Sequence, residues 1–312
     1  MPSWDVRTSY WNIGSSLSLA VTIPFIIYKV MRAVYLHRSF RELRGKVVVI
    51  TGASSGLGEA LAHEFYKKGC LIVLCARRRQ ELDRVREDLL KIQSTGPTHH
   101  PIIMPLDLSD INSLETAVTK ILEITGHIDI LINNGGVSHR GNVIDTKPDV
   151  DIKIMVVNYF GAVALTKAIL PNMIKQKQGH IVQISSIQGL IGLPSRSAYC
   201  ASKHALQAFS DSLRAEVKDS NIHVTVVSPG YIKTHLSENA LTGTGNTYGQ
   251  MDETTLSGYT PEYVAECILT AVVKKTKEVV ISPFLPKIAI FLRRFMPHLY
   301  FVAMSRRARK TN

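Results

Sequence analysis

The sequence predicts an α/β fold in which helices cover both faces of a doubly wound parallel sheet. From residue 46 onward, short apolar runs alternate with longer helical segments, the order expected of repeated strand–helix units. The runs are apolar throughout, as strands buried on both faces are. The first run leads into a glycine-rich turn, typical of a Rossmann-type sheet. We therefore expect a single domain at 46–285 with about seven strands, preceded by a membrane anchor.

Residues 1–28 are predicted to form that N-terminal membrane anchor. Between Arg7 and Lys29 lie 21 uncharged residues, close to the ~20 that a helix needs to cross a bilayer. Aromatic residues near both ends of the segment suit the membrane interface. Basic residues follow the apolar run instead of preceding it, which argues against a cleaved signal peptide. A helix that is buried or lies on the surface is the alternative.

The net charge of +12 is confined to two flanking regions. Residues 29–46 carry a net charge of +5 and residues 287–312 one of +7, so the region between them is neutral overall. Cations beside apolar segments suit an anionic membrane surface. The central region lacks the basic, aromatic-rich patch of a nucleic-acid-binding protein. By the positive-inside rule, the basic linker at 29–45 predicts a single-pass protein with a cytosolic main domain, and the opposite orientation stays open.

Seven apolar runs rich in β-branched residues predict the strands, and the segments between them predict the helices. The strands are expected at 46–51, 71–75, 102–106, 128–133, 180–185, 223–228 and 278–282. The helices are expected near 57–68, 79–93, 111–126, 149–177, 198–219 and 261–275. Ligands of such sheets bind beyond the carboxyl ends of the strands, so residues that follow the strands are the site candidates.

The first strand runs into the sequence TGASSGLG, residues 51–58. In such a turn Gly52 allows the tight bend, Gly56 lets a pyrophosphate approach the backbone, and Gly58 permits close packing of helix on strand. The helix that follows offers free N–H groups to phosphates. A purely structural turn is the alternative, but the position at the first strand–helix junction favours dinucleotide binding.

The second strand ends in CARRR, where dinucleotides are told apart. An acidic residue would hold a ribose 2′-hydroxyl, whereas an arginine accommodates a 2′-phosphate. Here Ala76 stands at the acidic position and Arg77 follows it. We therefore predict NADP(H), with Arg77 as the principal contact, Arg78 as a second one, and Arg79 at a solvated helix start.

The stretch SAYCASKHA places a tyrosine and a lysine four residues apart. On a helix Tyr199 and Lys203 share one face, and the small residues around them let another surface come close. A nearby ammonium stabilises a phenolate, and lowering a phenol pKa by roughly 3 units takes about 4 kcal/mol. The pair predicts an acid/base with a lowered pKa. An ordinary amphipathic helix is the alternative.

The motifs of the chain resemble those of the short-chain dehydrogenases/reductases over about residues 46–285. No single motif is specific, but their joint occurrence in this order is. Together with the N-terminal segment, they are most similar to a membrane-bound group of that family. The matching pieces are TGASSGLG (51–58), Asp107 in LDL, NNGG (133–136), Asn158, Ser186, YCASK (199–203) and PGYIKT (229–234).

The resemblance assigns four residues to the reaction. It implies that Tyr199 is the catalytic acid that protonates a carbonyl oxygen as hydride arrives from the nicotinamide. Lys203 would lower the pKa of Tyr199 and hydrogen-bond the nicotinamide ribose. Ser186 would bind and polarise the substrate carbonyl, and Asn158 would hold a water that links Lys203 to solvent. Donors aimed at a developing alkoxide stabilise the transition state, so these roles are physically consistent.

The resemblance also implies the contacts of the cofactor. Asp107 would meet the adenine, Asn134 the adenosine ribose and Thr234 the nicotinamide carboxamide. Gly135 stands where the family usually has alanine, which loosens the backbone by roughly 0.5–1 kcal/mol. The full set expected to bind the cofactor is Gly52, Ser54, Ser55, Gly56, Leu57, Gly58, Arg77, Asp107, Asn134, Tyr199, Lys203 and Thr234.

Two segments follow the last motif. Residues 238–258 carry glycine and polar residues without periodicity, which predicts a mobile lid over the substrate or a disordered surface loop. Residues 286–312 combine apolar and aromatic side chains with basic ones and no acid. This basic amphipathic arm is expected to lie in the membrane interface beside the substrate entrance, with a subunit contact as the alternative. An entrance at the membrane favours a hydrophobic substrate.

The sequence thus predicts a membrane-bound NADP(H)-dependent oxidoreductase of the endoplasmic reticulum or a related membrane, which interconverts a lipid-like ketone and a secondary alcohol. An NAD(H)-preferring alcohol dehydrogenase and a non-catalytic dinucleotide-binding scaffold are the alternatives. The resemblance also implies a homodimer through the helices near 149–177 and 198–219. Neither a metal nor a nucleic-acid partner is expected, because the four scattered cysteines lack metal-ligand spacing and the excess charge lies outside the domain.

Overall fold

The structure is a computed structural model that describes residues 22, 24–31, 36, 38–92 and 99–311. It divides into two compact units, Met1–Glu42 and Leu43–Asn312. In the first unit, residues 24–31 are helical and exposed. The predicted anchor at 1–28 falls mainly on residues outside the described set and stays a prediction.

The second unit is built on a parallel sheet, which confirms the predicted fold class. In the described chain, nine strands are β1 Val47–Thr51, β2 Leu71–Ala76, β3 Ile102–Pro105, β4 Ile130–Asn133, β5 His139–Arg140, β6 Gly179–Ile184, β7 Ile222–Pro229, β8 Leu241–Thr242 and β9 Glu278–Ile281. Seven of them form the main sheet in the order β3-β2-β1-β4-β6-β7-β9, and β5 pairs with β8. Each of these pairings between named strands is parallel.

Helices cover the sheet on both faces. Among the residues that the structure describes, the α-helices of the second unit are α1 Gly56–Lys67, α2 Arg79–Leu90, α3 Leu114–Thr125, α4 Pro148–Met155, α5 Gly161–Gln176, α6 Ser197–Glu216, α7 Glu253–Leu256, α8 Pro261–Val273, α9 Phe284–Phe295 and α10 Pro297–Thr311, and α9 and α10 lie outside the two layers. Val47 and Val49 of β1 join the apolar cluster of α3 and α5, whereas Val48 and Ile50 are equally buried on the opposite face. Burial on both faces explains why the strands read as continuous apolar runs.

The order of the strands reverses between β1 and β4. The chain proceeds from β1 through β2 to the edge strand β3 and then returns to the other side of β1. Connections that leave in opposite directions open a crevice at the carboxyl ends of the strands. The glycine-rich turn after β1 and the NNGG segment after β4 meet at this crevice.

Helices α4 and α5 form one continuous rod, Pro148–Gln176, through a π-helical turn at Val156–Phe160. Among the described residues, this rod is the one helix long and apolar enough to cross a membrane. However, Leu165, Ile169 and Met173 are fully buried in the core cluster. The rod is therefore a core helix, and it adds no support to the predicted N-terminal anchor, which is a different segment.

Residues 238–258 are folded, where the sequence predicts a mobile lid or a disordered loop. Strand β8 pairs with β5, and the N–H of Tyr248 donates to the carbonyl of Ala240 at 2.8 Å. Asp252, just before α7, forms a buried ion pair with Arg140 of β5. The pairing of β8 with the distant strand β5 keeps this segment ordered. The segment itself has no local periodicity from which its order could be predicted.

Candidate active site

A cavity of about 540 Å³ lies at the carboxyl edge of the sheet, over the point where the strand order reverses. Its walls come from the segments that follow β1, β2, β3, β4, β6 and β7. Gly58 and the buried Asn158 lie behind these walls. The other predicted site residues line the cavity: Gly52, Ser54, Ser55, Gly56, Leu57, Arg77, Asp107, Asn134, Ser186, Tyr199, Lys203 and Thr234.

The turn after β1 depends on glycine at two positions. Gly52 has φ +65°, and a Cβ there would lie 2.8 Å from the Cα of Gly135. A Cβ on Gly58 would lie 2.1 Å from the carbonyl oxygen of Gly52, so Gly58 allows α1 to pack on the turn. Ser55, the N-cap of α1, makes no side-chain capping bond within the described chain. The first N–H groups of α1 are thus available to an anion.

Thr51 joins the two sides of the crevice, and the sequence analysis did not single it out. Its hydroxyl accepts hydrogen bonds from the backbone N–H groups of Asn134 and Gly135, each at 2.9 Å. The side-chain amide of Asn134 donates to the carbonyl of Thr51, also at 2.9 Å. A Cβ on Gly135 would lie 2.6 Å from Leu108 Cδ1. Gly135 stands where the family usually has alanine, and in this chain the side chain of Leu108 occupies the space that an alanine Cβ would need.

Two arginines stand at the carboxyl end of β2. Arg77 and Arg78 both line the cavity, and the Arg78 guanidinium donates to the Ser54 hydroxyl at 3.2 Å. Arg79 is exposed and forms a long ion pair with Asp83, at 3.9 Å. Arg78 therefore turns toward the glycine-rich turn, Arg77 lines the same cavity, and Arg79 belongs to the solvated start of α2.

Asp107, after β3, is held in its ionised form. Burial opposes this ionisation, but hydrogen bonds from the N–H and hydroxyl of Ser109 (2.9 and 2.8 Å) and the charge of Arg77 outweigh it. The pKa of Asp107 is consequently lowered. Arg77 and Asp107 line the same part of the cavity. An anionic group and a nucleobase could bind there side by side.

Asn158 lies on the π-helical turn between α4 and α5. Its side chain accepts from the N–H of Val137 (2.8 Å) and donates to the carbonyl of Val137 (2.9 Å) and to the hydroxyl of Ser202 (3.0 Å). Such π-turns are frequent at functional sites. Here the turn lets Asn158 hold the segment after β4 against α6. The Ser202 contact was not foreseen from the sequence.

The Tyr199 phenol and the Ser186 hydroxyl meet in the cavity. The N–H of Gln188 donates to Ser186 Oγ at 3.1 Å and fixes this hydroxyl after β6. Burial raises the pKa of the Tyr199 phenol to about 12, although its hydrogen bond with Ser186 acts in the opposite direction. The expected lowering of this pKa is therefore wrong in this structure.

Lys203 shows why the phenol is not made more acidic. Its ammonium donates to the carbonyl of Ile184 at 2.8 Å and lies 5.7 Å from the centroid of the Tyr199 ring. Burial lowers the pKa of Lys203 to about 8. Desolvation penalises a phenolate and an ammonium alike, and their attraction does not compensate for it. At neutral pH the pair is a protonated phenol beside a mostly charged lysine.

A second group of charges adjoins the cavity, and the sequence analysis did not identify it. Arg140 lines both this cavity and a neighbouring one of about 450 Å³. Its guanidinium donates twice to Asp252 Oδ2, at 2.5 and 2.9 Å. Arg196 reaches the same oxygen at 3.4 Å, and burial lowers the pKa of Arg196 to about 10. No sequence signal links Arg140 to Asp252, because 112 residues separate them.

Comparison with known proteins decides the family. The profile of the short chain dehydrogenase family matches residues 46–244, which contain every motif of the cavity. The chain belongs to the short-chain dehydrogenase/reductase family. This dehydrogenase/reductase is 56% identical over 303 residues to a dehydrogenase/reductase SDR family protein 7-like from Anopheles gambiae, covering 97% of this chain and 96% of the relative. The resemblance stated from the sequence is confirmed.

Two further similarities, to a second relative and to a crystal structure, support this family assignment. It is 52% identical over 269 residues to dehydrogenase/reductase SDR family member 7B of Bos taurus, covering 86% of this chain and 83% of the relative. A crystal structure of a metagenomic short-chain oxidoreductase in complex with NADP matches with a TM-score of 0.63 and 27% identity, covering 77% of this chain and 98% of that one. The protein is therefore an oxidoreductase acting on CH–OH groups with a nicotinamide dinucleotide.

The residues of the cavity fit such a dinucleotide. Gly52 and Gly56 of the glycine-rich turn line the cavity with bare backbone, and the turn could not carry a Cβ there, because it would lie 2.8 Å from Gly135 Cα or 3.0 Å from Thr234 Cγ2. The N-terminus of α1 and the guanidiniums of Arg77 and Arg78 add positive potential beside that space. This combination suits a group that carries several phosphates.

Proposed function

We propose that the protein is a membrane-bound NADP(H)-dependent oxidoreductase that interconverts a lipid-like ketone and a secondary alcohol, with Tyr199 as acid/base. One observation carries the proposal. Ser186, Tyr199 and Lys203 line the same cavity as the glycine-rich turn and Arg77. A proton donor, a carbonyl-orienting hydroxyl and a phosphate cradle in one cavity are the groups that hydride transfer to a ketone requires.

In the reduction, bound NADPH would supply the hydride to the substrate carbonyl. Tyr199 gives its proton to the carbonyl oxygen, and a pKa of about 12 keeps that proton on the phenol throughout the physiological range. Ser186 hydrogen-bonds the same oxygen and orients it. Lys203 stabilises the negative charge that develops on Tyr199 during the transfer. The same groups act in reverse in the oxidation.

Asn158 supports the reaction without touching the carbonyl. Its contacts with Val137 and Ser202 hold the segment after β4 against the helix that carries Tyr199 and Lys203. A shift of this segment would move the cavity wall relative to both groups. The further proposal that Asn158 holds a water between Lys203 and solvent stays a prediction.

For the cofactor, we favour NADP(H) over NAD(H). Arg77, with Arg78 beside it, pairs with a 2′-phosphate, because a guanidinium matches a phosphate in charge and geometry. Asp107 receives the adenine, Asn134 the adenosine ribose and Thr234 the nicotinamide carboxamide. The phosphates are assigned to the turn that comprises Gly52, Ser54, Ser55, Gly56, Leu57 and Gly58, with Gly58 shaping the turn from behind.

The substrate is proposed to be lipid-like because of the apolar residues that line the cavity. Val157, Ile232, Leu236 and Leu241 contribute to its wall, together with the ring of Tyr231. These apolar side chains suit the hydrocarbon part of a ligand whose carbonyl is fixed at one point by the polar groups of the same cavity. A steroid, a retinoid and an acyl or alkyl dihydroxyacetone phosphate all meet this description.

Residues 1–28 are proposed to anchor the protein in the endoplasmic reticulum or a related membrane, with the main domain cytosolic and membrane lipids as partners. A homodimer is proposed through the rod of α4 and α5 and the neighbouring α6. Ile152, Phe160 and Ile174 on that rod are exposed, and such apolar side chains favour a symmetric contact between two copies.

Turnover of NADPH with a panel of steroid, retinoid and dihydroxyacetone phosphate ketones tests the proposal. We expect Tyr199→Phe to lose about 10²- to 10⁴-fold in kcat, because the proton donor is gone. Tyr231→Phe, which changes another phenol of the same cavity, is the control and should retain most activity. NADPH binding without turnover of any ketone would favour the scaffold alternative, and equal activity of Tyr199→Phe would reject the role of this residue.

A further inference from the structure

The helix α9 exposes several large apolar side chains to solvent. Phe284, Ile288, Phe291 and Phe295 recur at intervals of four, three and four residues, so they form one stripe on the helix. Phe284, Phe291 and Phe295 are 77, 54 and 63% exposed. In the part of the chain that the structure describes, no residue of α9 is buried. A helix of a water-soluble domain normally faces its apolar stripe inward.

The next helix, α10, is attached to the domain near the cavity. Tyr300 is buried, and its hydroxyl donates to the carbonyl of Gly192. Arg307 donates to the hydroxyl of Tyr231, a residue of the cavity wall, at 3.4 Å. Contacts between α9 and α10 complete a helical hairpin, residues 284–311. The exposed stripe of α9 is thus presented by a structure that is held on the domain.

The charge of this hairpin indicates which surface covers the stripe. Residues 287–312 contain seven basic residues and no acidic one. Arg293 lies 5.2 Å from the ring centroid of Phe301, and Arg294 lies 5.9 Å from that of Phe295. Basic and aromatic side chains therefore occur side by side, as in helices that lie in the interface of an anionic bilayer.

A second copy of the chain suits this hairpin poorly. A twofold contact brings the same surface of both copies together. Two segments with seven cations each would then come close together, with no acidic residue in either segment to offset them. An anionic surface meets the same cations favourably.

We propose that the α9–α10 hairpin docks on the surface of an anionic lipid bilayer, with the stripe of α9 at the boundary of headgroups and acyl chains. The attachments of α10 to Gly192 and Tyr231 then place the entrance of the cavity beside the bilayer. This docking is separate from the N-terminal segment. It rests on the proposed function only in that a lipid-like substrate would enter from the membrane.

A tryptophan reporter in the full chain tests the docking. The two native tryptophans, Trp4 and Trp11, are replaced by phenylalanine, and Phe291→Trp supplies the only indole. The protein is reconstituted into vesicles whose acyl chains carry bromine, which quenches a tryptophan that reaches them. We expect strong quenching in vesicles containing phosphatidylserine and much less in purely phosphatidylcholine vesicles.

Matched controls separate docking from the N-terminal segment. Ile124→Trp places the indole on an exposed residue near the end of α3, which leads to the amino edge of the sheet, and it should escape quenching. Lys287→Glu with Arg294→Glu should weaken the response to phosphatidylserine, by at least about fivefold for each basic residue lost. Lys120→Glu with Lys175→Glu, exposed lysines of α3 and α5, should leave it unchanged.

An unquenched indole at position 291 in anionic vesicles would overturn the proposal, as would equal quenching in neutral ones. Shielding of that indole that depends on protein concentration and not on lipid would assign the stripe to a second copy and would also overturn it. The Phe291→Trp reporter alone decides between the two vesicle types, even if a charge variant fails to fold. No substrate is needed, so failure of the proposed reaction leaves this result interpretable.

Discussion

Tyr199 and Lys203 show how the surroundings of a side chain set its chemistry. Their spacing in sequence predicts that they share a helix face, and both line the cavity. Their spacing does not predict the direction of their pKa shifts. Burial raises the pKa of Tyr199 to about 12 and lowers that of Lys203 to about 8. The sequence-based expectation considered the attraction between the two groups and not the loss of water around both.

The buried Lys203 predicts a conflict between stability and activity. Its pKa falls from 10.5 to about 8, which corresponds to a cost of about 3 kcal/mol at pH 7. Lys203→Met removes this cost and loses one hydrogen bond to Ile184, worth about 1 kcal/mol. We expect the variant to be about 2 kcal/mol more stable than the wild type in urea unfolding at pH 7, and inactive.

The pH dependence of this stability difference tests whether the buried charge of Lys203 causes it. Between about pH 8 and 10.5, the unfolded chain keeps a proton on Lys203 that the folded protein releases. Wild-type stability therefore rises with pH in this window, and the advantage of Lys203→Met shrinks. Lys120→Met, at an exposed lysine, should show no such convergence. A difference between Lys203→Met and the wild type that stays constant from pH 7 to 9.5 would contradict the interpretation.

Arg77 carries the predicted choice of cofactor. Arg77→Asp replaces a phosphate-binding cation by the acidic residue that suits a ribose 2′-hydroxyl. We expect the KM for NADPH to rise by about 10- to 100-fold, the loss of a charged hydrogen bond, and that for NADH to fall. Steady-state kinetics with both cofactors provides the measurement. Arg79→Asp on the solvated start of α2 is the control, and unchanged NADPH affinity in Arg77→Asp would refute the assignment.

At the scale of elements, a largely buried ion pair helps the β5–β8 pairing to hold the segment 238–258. Asp252 accepts from Arg140 of β5 and from Arg196 just before α6. These contacts hold the segment against the two-stranded β5–β8 sheet and against α6, the helix that carries Tyr199. The local sequence of the segment has no strand or helix periodicity, which is why it reads as a loop. Its order comes from partners supplied by two other elements.

Removing that carboxylate should loosen the segment. Asp252→Ala leaves Arg140 and Arg196 without their shared partner, and breaking a buried pair in this way costs about 3–5 kcal/mol. We expect a loss of that size in urea unfolding and new proteolytic cleavage within 238–258. Asp211→Ala breaks the pair of Asp211 with Arg214 on the surface of α6 and should cost less than about 1 kcal/mol. Equal effects of the two variants would argue against a structural role for Asp252.

At the scale of the molecule, the order of the strands brings the residues of the site together. The reversal between β1 and β4 brings the glycine-rich turn next to the segment after β4, and the hydroxyl of Thr51 joins them. Residues that lie up to 182 positions apart in the sequence, Gly52 and Thr234, thereby line one cavity. A cofactor bound there contacts both halves of the sheet.

Cofactor binding should therefore stabilise the whole domain. A ligand that binds only the folded state at 100 times its Kd adds about 2.7 kcal/mol, or roughly 5–10 °C in Tm for a domain of this size. We expect such a rise with NADPH and a smaller one with NADH at the same concentration. Thermal unfolding in the presence of each cofactor measures it. A larger rise with NADH would favour the NAD(H)-preferring alternative.

The sequence by itself determined the succession of the seven main strands and the helices between them, the class of the sheet, and many of the residues that line the cavity. These properties depend on local hydrophobic patterns, turn chemistry and motif spacing, all of which neighbouring residues carry. Only the tertiary structure decided the pKa directions of Tyr199 and Lys203, the pairing of Arg140 with Asp252, and the outward stripe of α9. Each of these depends on which side chains and how much water surround a group, and distant parts of the chain supply those surroundings.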